Sequence, residues 1–400
     1  MVTPLEALDR LCAESQQQMT KLQMTITIND TTLKLYNAGM KDGKIRFGLF
    51  ARDLLTTALM LQDADFLKET IKFALLTLGK SYDPLTGEEP GRAIHEFTEV
   101  EQRGLKTRYN AAETSQLLLI ASAEYLKISE DVPFLKGQEE GLKAAVSYVL
   151  SHIRAGLFWE DPHICGASRY ALRATYWKDS HLPSRVDPDY PVAYTLVQAQ
   201  TVAALRSTAE LAEVVTVGFR PVRLEDLAKM MVESLFTRLW DDSLDYPLIA
   251  EDQKGPILGI SSDGLHMLAY LRKEDISQAK LEKIYRAAQA LETPYGYRTY
   301  APEQPDYSPD SYHLGSIWPF EQFFIARGAL IHGQEGLLKV ALRAVKALEE
   351  LGFPELFYWD ERGGLEGPGE VPGEGCDLQL WSAAWPQGMH RLLADIRGKR

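Results

Sequence analysis

The feature that most constrains this chain is a rhythm of paired helical segments separated by long connections. Apolar residues recur at i, i+3, i+4 and i+7 near 49–62 and 64–81, then near 111–128 and 132–153. Further pairs fall near 192–215 and 220–240, 262–273 and 277–291, and 315–333 and 336–352. A last helix is predicted near 379–398 and an unpaired first one near 4–22. Only a few residues separate the helices of each pair, which forces antiparallel hairpins. The stretches between pairs, 82–110, 154–191, 241–261, 292–314 and 353–378, run well past ordinary loop length and concentrate Trp, Tyr, Gly, Pro and Asp. If the last helix closes against the first, six hairpins form a ring with every long connection on one face. The predicted fold is therefore all-α, an (α/α)6 toroid forming a single domain over residues 1–400. Minor β-hairpins are expected in the loops, at Thr32–Tyr36 and around Tyr297–Tyr300. An open solenoid of stacked hairpins is the alternative. The absence of a shared repeat consensus and of polar end caps favours closure.

A formal net charge of -13 argues against a nucleic-acid partner, which would require a basic face. Cys12, Cys165 and Cys376 are odd in number and far apart, so they suggest neither a disulfide framework nor metal-ligand spacing. Glu6, Asp9, Arg10 and Glu14 interrupt the first apolar pattern, unlike a signal peptide, and no apolar run reaches membrane-spanning length. A cytoplasmic protein with no membrane partner is expected. Assembly into a homo-oligomer is compatible with the sequence. No glycine-rich dinucleotide or phosphate loop and no His-Glu-x-x-His occurs, so no cofactor and no metal are expected.

Two of the long connections carry a carboxylate within an aromatic run. One reads Tyr176-Trp177-Lys178-Asp179-Ser180, the other Pro354-Glu355-Leu356-Phe357-Tyr358-Trp359. Aromatic walls desolvate a carboxyl and keep it protonated, as a general acid requires, whereas Lys178 would oppose this if its amine turned towards Asp179. Each acid also has a structural reading, as a capping or salt-bridged loop residue for Asp179 and a partly buried helix-terminal residue for Glu355. Together on one face of a ring they would suit glycoside hydrolysis, which needs one carboxyl at the leaving oxygen and another opposite it. Trp and Tyr suit sugar rings, whose C–H faces pack on aromatic planes. A third stretch, Tyr312-His313-Leu314-Gly315-Ser316-Ile317-Trp318-Pro319, opens a helix for which Ser316 could be the N-cap.

These residues resemble a known family. Trp177-Lys178-Asp179-Ser180, Arg298-Thr299 followed by Tyr312-His313-x-Gly315-Ser316-x-Trp318-Pro319, Pro354-Glu355-Leu356-Phe357 and Phe50-Ala51-Arg52-Asp53 are spread across nearly the whole chain. They are similar to motifs of the bacterial α-glycosidases of glycoside hydrolase family 63 and of debranching-type amylo-α-1,6-glucosidase domains. The resemblance implies that Asp179 is the general acid, Glu355 the general base, and Asp53 a holder of sugar hydroxyls. The chain departs from the debranching pattern at Phe320-Glu321 and at Arg173-Ala174-Thr175-Tyr176. It is closer in compactness to the family's mannosylglycerate and glucosylglycerate hydrolases. The expected activity is inverting hydrolysis of a small α-glycoside to release glucose or mannose. Debranching of a polymer, a sugar epimerase or isomerase, and a non-catalytic sugar-binding toroid stand as alternatives. The expected substrate-binding set is Phe50, Asp53, Trp177, Arg185, Tyr312, His313, Trp318 and Gln379. Arg185 would hold the carboxylate of a glycerate leaving group, or else pair on the surface with Asp187 or Asp189.

Overall fold

The protein is described from a computed structural model, over residues 4–368 and 375–398. Its helices are α1 (Pro4–Leu22), α2 (Ala51–Leu61), α3 (Ala64–Leu76), α4 (Thr114–Ser129), α5 (Val132–Lys136), α6 (Glu139–Ser151), α7 (Thr195–Leu211) and α8 (Pro221–Arg238). There follow α9 (Asp263–His266), continued by a 3-10 turn Met267–Tyr270, then α10 (Gln278–Ala287), α11 (Pro319–Ile331), α12 (Glu335–Ala341), α13 (Ala344–Leu351) and α14 (Leu380–Gly398).

Burial divides these helices into two kinds. Fourteen of the seventeen residues of α7 are buried, and α2 buries ten of eleven, so these helices are enclosed on all sides. By contrast α8 buries Leu224, Ala228, Met231, Val232 and Leu235, a single stripe at helical spacing that leaves its other face to solvent. The enclosed helices touch in a circuit: α2 packs on α4, α4 on α7, α7 on α9 and its 3-10 extension, these on α11, α11 on α14, and α14 again on α2. Outside them, α3 lies on α2 and α4, α6 on α4, α8 on α7 and α12 on α11, while α1 packs along α14. Among the described residues no helix is long and apolar enough to cross a membrane.

Four predicted helices are interrupted, among them 277–291, which ends as a 3-10 turn at Ala288–Leu291. The segment 132–153 divides at Gly137 and Gln138, and 336–352 divides at Leu342 and Arg343. The segment 262–273 is one α turn followed by a 3-10 turn rather than a full helix. The strand at Thr31–Tyr36 pairs antiparallel with Gln23–Ile28, whereas near Tyr297 only Gly296–Tyr297 forms a strand, paired with Glu292–Thr293. A small sheet pairs segments from near both ends of the chain, with Gly39–Lys41 between Lys44–Phe47 and Leu378–Gln379. Ser316 is not the cap of α11. Trp318 holds that position, and the Ser316 hydroxyl donates to the Tyr312 carbonyl at 2.5 Å.

Close approach fixes the turn before α11. A Cβ on Gly315 would overlap the backbone carbonyl of Ser308, a residue whose own N–H is bonded to the Leu314 carbonyl. Gly315→Ala is expected to destabilise the fold by about 1–3 kcal/mol through overpacking, read as a lower denaturant midpoint with unchanged slope.

Candidate active site

The enclosed helices α2, α11 and α14 begin at a cavity of about 480 Å³, a volume within the roughly 300–1,000 Å³ usual for small-ligand sites. Its wall is built from the hairpin before α2, the starts of these helices, and four of the five long connections. Asp179 and Glu355 both line it. So do Phe50, Asp53, Trp177, Tyr312, His313, Trp318 and Gln379, drawn from segments remote in sequence.

Glu355 is 3% exposed and held from both sides. Tyr312 donates its hydroxyl to Oε1 at 2.5 Å, and the Cys376 backbone N–H donates to Oε2 at 2.9 Å. Its main chain is fixed by a bond from its N–H to the Cys376 carbonyl and by the bridge of Ile317 with Phe357. Burial pushes its pKa up to about 7, the Tyr312 and Cys376 bonds pull it down, and the nearby Asp179 charge pushes it up. A carboxylate poised there can accept a proton near neutral pH.

Asp179 is set differently. Its side chain keeps 26% of its surface exposed, and its Oδ2 lies 3.2 Å from Arg52 Nη1 and 3.9 Å from His95 Nε2. The flanking aromatics have packing partners of their own. Tyr176 stacks on Tyr194, and Trp177 meets His313, Trp318 and Phe320 edge to face. Lys178 turns away, to Asp263 Oδ2 at 3.2 Å.

Asp53, in the first turn of α2, is almost fully buried and accepts a bond from Gln379 Nε2 at 2.8 Å. Burial foremost, with the charges of Glu355 and Asp179, raises its pKa to about 8 against the pull of Arg52. Among the described residues Gln379 Oε1 is buried with no hydrogen-bond partner. Gly39 permits this packing, because a Cβ there would overlap that oxygen. His313 accepts from the Ser180 backbone N–H at 3.3 Å through Nδ1, so its proton sits on Nε2. Burial and the charges of Lys178 and Arg52 hold its pKa well below the usual range, and the ring is neutral. Nε2 is buried with no partner among the described residues.

Arg185 is a correction. It does not line the cavity, because its Nε pairs with Asp252 Oδ2 at 3.1 Å and its Nη1 donates to the Ser184 carbonyl. Asp252 is fully buried at its side chain and also accepts the Asp189 N–H, so it binds this loop to the strand Ala250–Asp252. Neither Asp187 nor Asp189 is the partner that the sequence suggested. Sequence reasoning also missed Arg46, Arg52, His95, Glu96 and Trp381, which line the cavity. Arg52 stood inside a recognised motif without a role. His95-Glu96 lay in a long connection, the one available signal.

The profile of the mannosylglycerate hydrolase MGH1-like glycoside hydrolase domain matches residues 102–369. No curated protein sequence matches the chain. Among solved structures, the GH63 mannosylglycerate hydrolase from Thermus thermophilus in complex with Tris is similar with a TM-score of 0.65 at 15% identity, covering 95% of this chain and 99% of that one. Its complex with Tris and D-glycerate gives a TM-score of 0.63 at 15% identity over the same shares. A rhamnosidase from Klebsiella oxytoca with rhamnose bound gives 0.62 at 12% identity, covering 97% of this chain and 64% of that one. At these identities the likeness establishes a shared fold.

Two outcomes follow from the electrostatics. Removing the Tyr312 hydroxyl removes a bond that lowers the Glu355 pKa, so Tyr312→Phe should move the acidic limb of any activity profile above about pH 7. A limb that stays in place would deny Glu355 that proton. For Asp53, the folded value near 8 exceeds the ordinary 3.8, so the folded state holds a proton that the unfolded chain releases first. Its contribution is complete below about pH 4 and is lost as pH rises to about 8. Asp53→Asn should therefore be more stable than the parent at pH 8–9, by on the order of 1–2 kcal/mol, with the difference closing near pH 4 in chemical unfolding.

Proposed function

Because the chain belongs to the mannosylglycerate hydrolase MGH1-like glycoside hydrolase family, we propose that it is an inverting α-glycosidase built on an (α/α)6 toroid, acting on a small α-glycoside. The observation that carries this reading is that Asp179 and Glu355 face one cavity in unlike surroundings, Glu355 sealed in and Asp179 open to the space. Asp179 gives its proton to the glycosidic oxygen. Glu355 takes a proton from a water that attacks the anomeric carbon from the opposite face, and the hexose leaves with inverted configuration. Asp53 and Gln379 take hydroxyls of the sugar, and His313 Nε2 donates to another. The circuit of enclosed helices supports the toroid, and the four motifs support the roles.

Glucose or mannose is the released sugar, with glycerate as the leaving group. The role expected of Arg185 passes to Arg46, which is exposed and lines the cavity. A cavity of about 480 Å³ suits such a disaccharide-sized substrate better than a branched polymer. A second reading, a sugar isomerase using paired histidines, draws on His95 and His313, which both border the cavity. The carboxylate pair and the family membership weigh against it.

Incubation with mannosylglycerate, glucosylglycerate, kojibiose, isomaltose and limit dextrin, read by release of free hexose, tests the substrate. Proton NMR during the first turnovers should show the β-anomer appearing first from an α-glycoside, and an α-anomer would exclude inversion. Asp179→Asn and Glu355→Gln should each lower kcat by on the order of 10²–10⁴-fold while remaining folded. Rapid release from limit dextrin alone would return the chain to the debranching reading, and sugar interconversion without hydrolysis would favour the isomerase.

A further inference from the structure

We propose that Asp263 is a positioning residue for the general acid, setting the Asp179 carboxyl through the three residues that precede it. The proposal rests on Asp179 being the acid. Residues 176–178 lie in bends rather than in a helix or strand, so side chains must fix the path of the backbone there. All three converge on one buried carboxylate in the first turn of α9. Trp177 Nε1 donates to Asp263 Oδ1 at 2.9 Å, and the Tyr176 hydroxyl donates to Oδ2 at 3.2 Å. Lys178 Nζ lies 3.2 Å from the same Oδ2. Lys178 also donates to the hydroxyls of Ser261 and Ser262, at 2.7 and 2.9 Å, and to the Thr299 carbonyl at 3.1 Å.

Asp263 is 1% exposed and does not line the cavity, so it touches no substrate. A buried carboxylate receiving this many donors is a rigid post. Beyond Asp179, Ser180 is held by His313 through both its N–H and its hydroxyl. The acid thus stands between two anchors. A displacement of its carboxyl of about 1 Å is enough to impair proton delivery.

An experiment separates positioning from folding by the need for a proton. Departure of an oxygen leaving group needs protonation by the acid, whereas fluoride departs from a glycosyl fluoride without it. Asp263→Asn places an amide N–H₂ against the Lys178 amine and hydroxyl donors. It should lower kcat on the glycoside turned over fastest in the panel above by on the order of 10²-fold, with KM little changed. The α-glycosyl fluoride of the same sugar should be hydrolysed within about threefold of the parent rate. Asp179→Asn, run in parallel, should show the same split between substrates. Equal losses on both substrates by folded Asp263→Asn, or no loss on either, overturn the proposal while leaving Asp179 as the acid. If Asp179→Asn itself fails to separate the substrates, the assignment of the acid is wrong and the proposal falls with it. Should Asp263→Asn fail to fold, Lys178→Met/Asp263→Asn removes both members of the ion pair together and must show the split instead.

Discussion

A single guanidinium, that of Arg52, ties together the parts that make the cavity. Arg52 is 5% exposed, pairs with Glu113 at 2.5 Å and Asp179 at 3.2 Å, and donates to the Thr175 carbonyl at 3.4 Å. Glu113 stands at the start of α4, and Thr175 leads into the Asp179 loop, so one side chain at the start of α2 fixes two neighbours. A buried cation is tolerated only with such company, and removing one partner of a buried pair typically costs about 3–5 kcal/mol. The next residue, Asp53, points about a hundred degrees round the helix, towards Gln379 just before α14. Two consecutive residues therefore connect α2 to both of its neighbours in the circuit.

The remaining motif residues connect the long loops to one another rather than to their own helices. Lys178 reaches Ser261, Ser262 and Thr299, and Thr299 in turn accepts the Gly315 N–H and donates its hydroxyl to the Ser316 carbonyl. His313 stacks on Trp318, and Phe320 stacks on Trp381 at the start of α14. Segments remote in sequence thus share one polar and aromatic floor. This explains why short motifs far apart in the chain belong to one site: each is half of a contact whose other half lies in another.

Periodicity made the helices legible. It failed at Gly137 and at Leu342, where short breaks leave the apolar rhythm unaltered, and at 262–273, where the apolar run folds partly into a 3-10 turn. The motif residues of the cavity were legible because each sits in a recognisable run. Arg185 was not, because its partner Asp252 lies on another connection and nothing local announces it. The same holds for His95, a lone histidine in a long loop, and for Arg52, whose partners come from the start of α4 and the Asp179 loop.

In the proposed reaction the two acids exchange charge, and their surroundings favour the state each reaches rather than the one it leaves. Asp179 gives up a proton while Glu355 gains one, so the net charge facing the sugar is unchanged by the two transfers. The Arg52 guanidinium, 3.2 Å from Oδ2, stabilises the carboxylate that donation leaves behind. Burial of Glu355, which holds its pKa near 7, favours the protonated carboxyl that water deprotonation creates. The Asp179 charge also raises the cost of ionising Glu355. Loss of the proton at one side and its gain at the other therefore proceed without building net charge around the sugar.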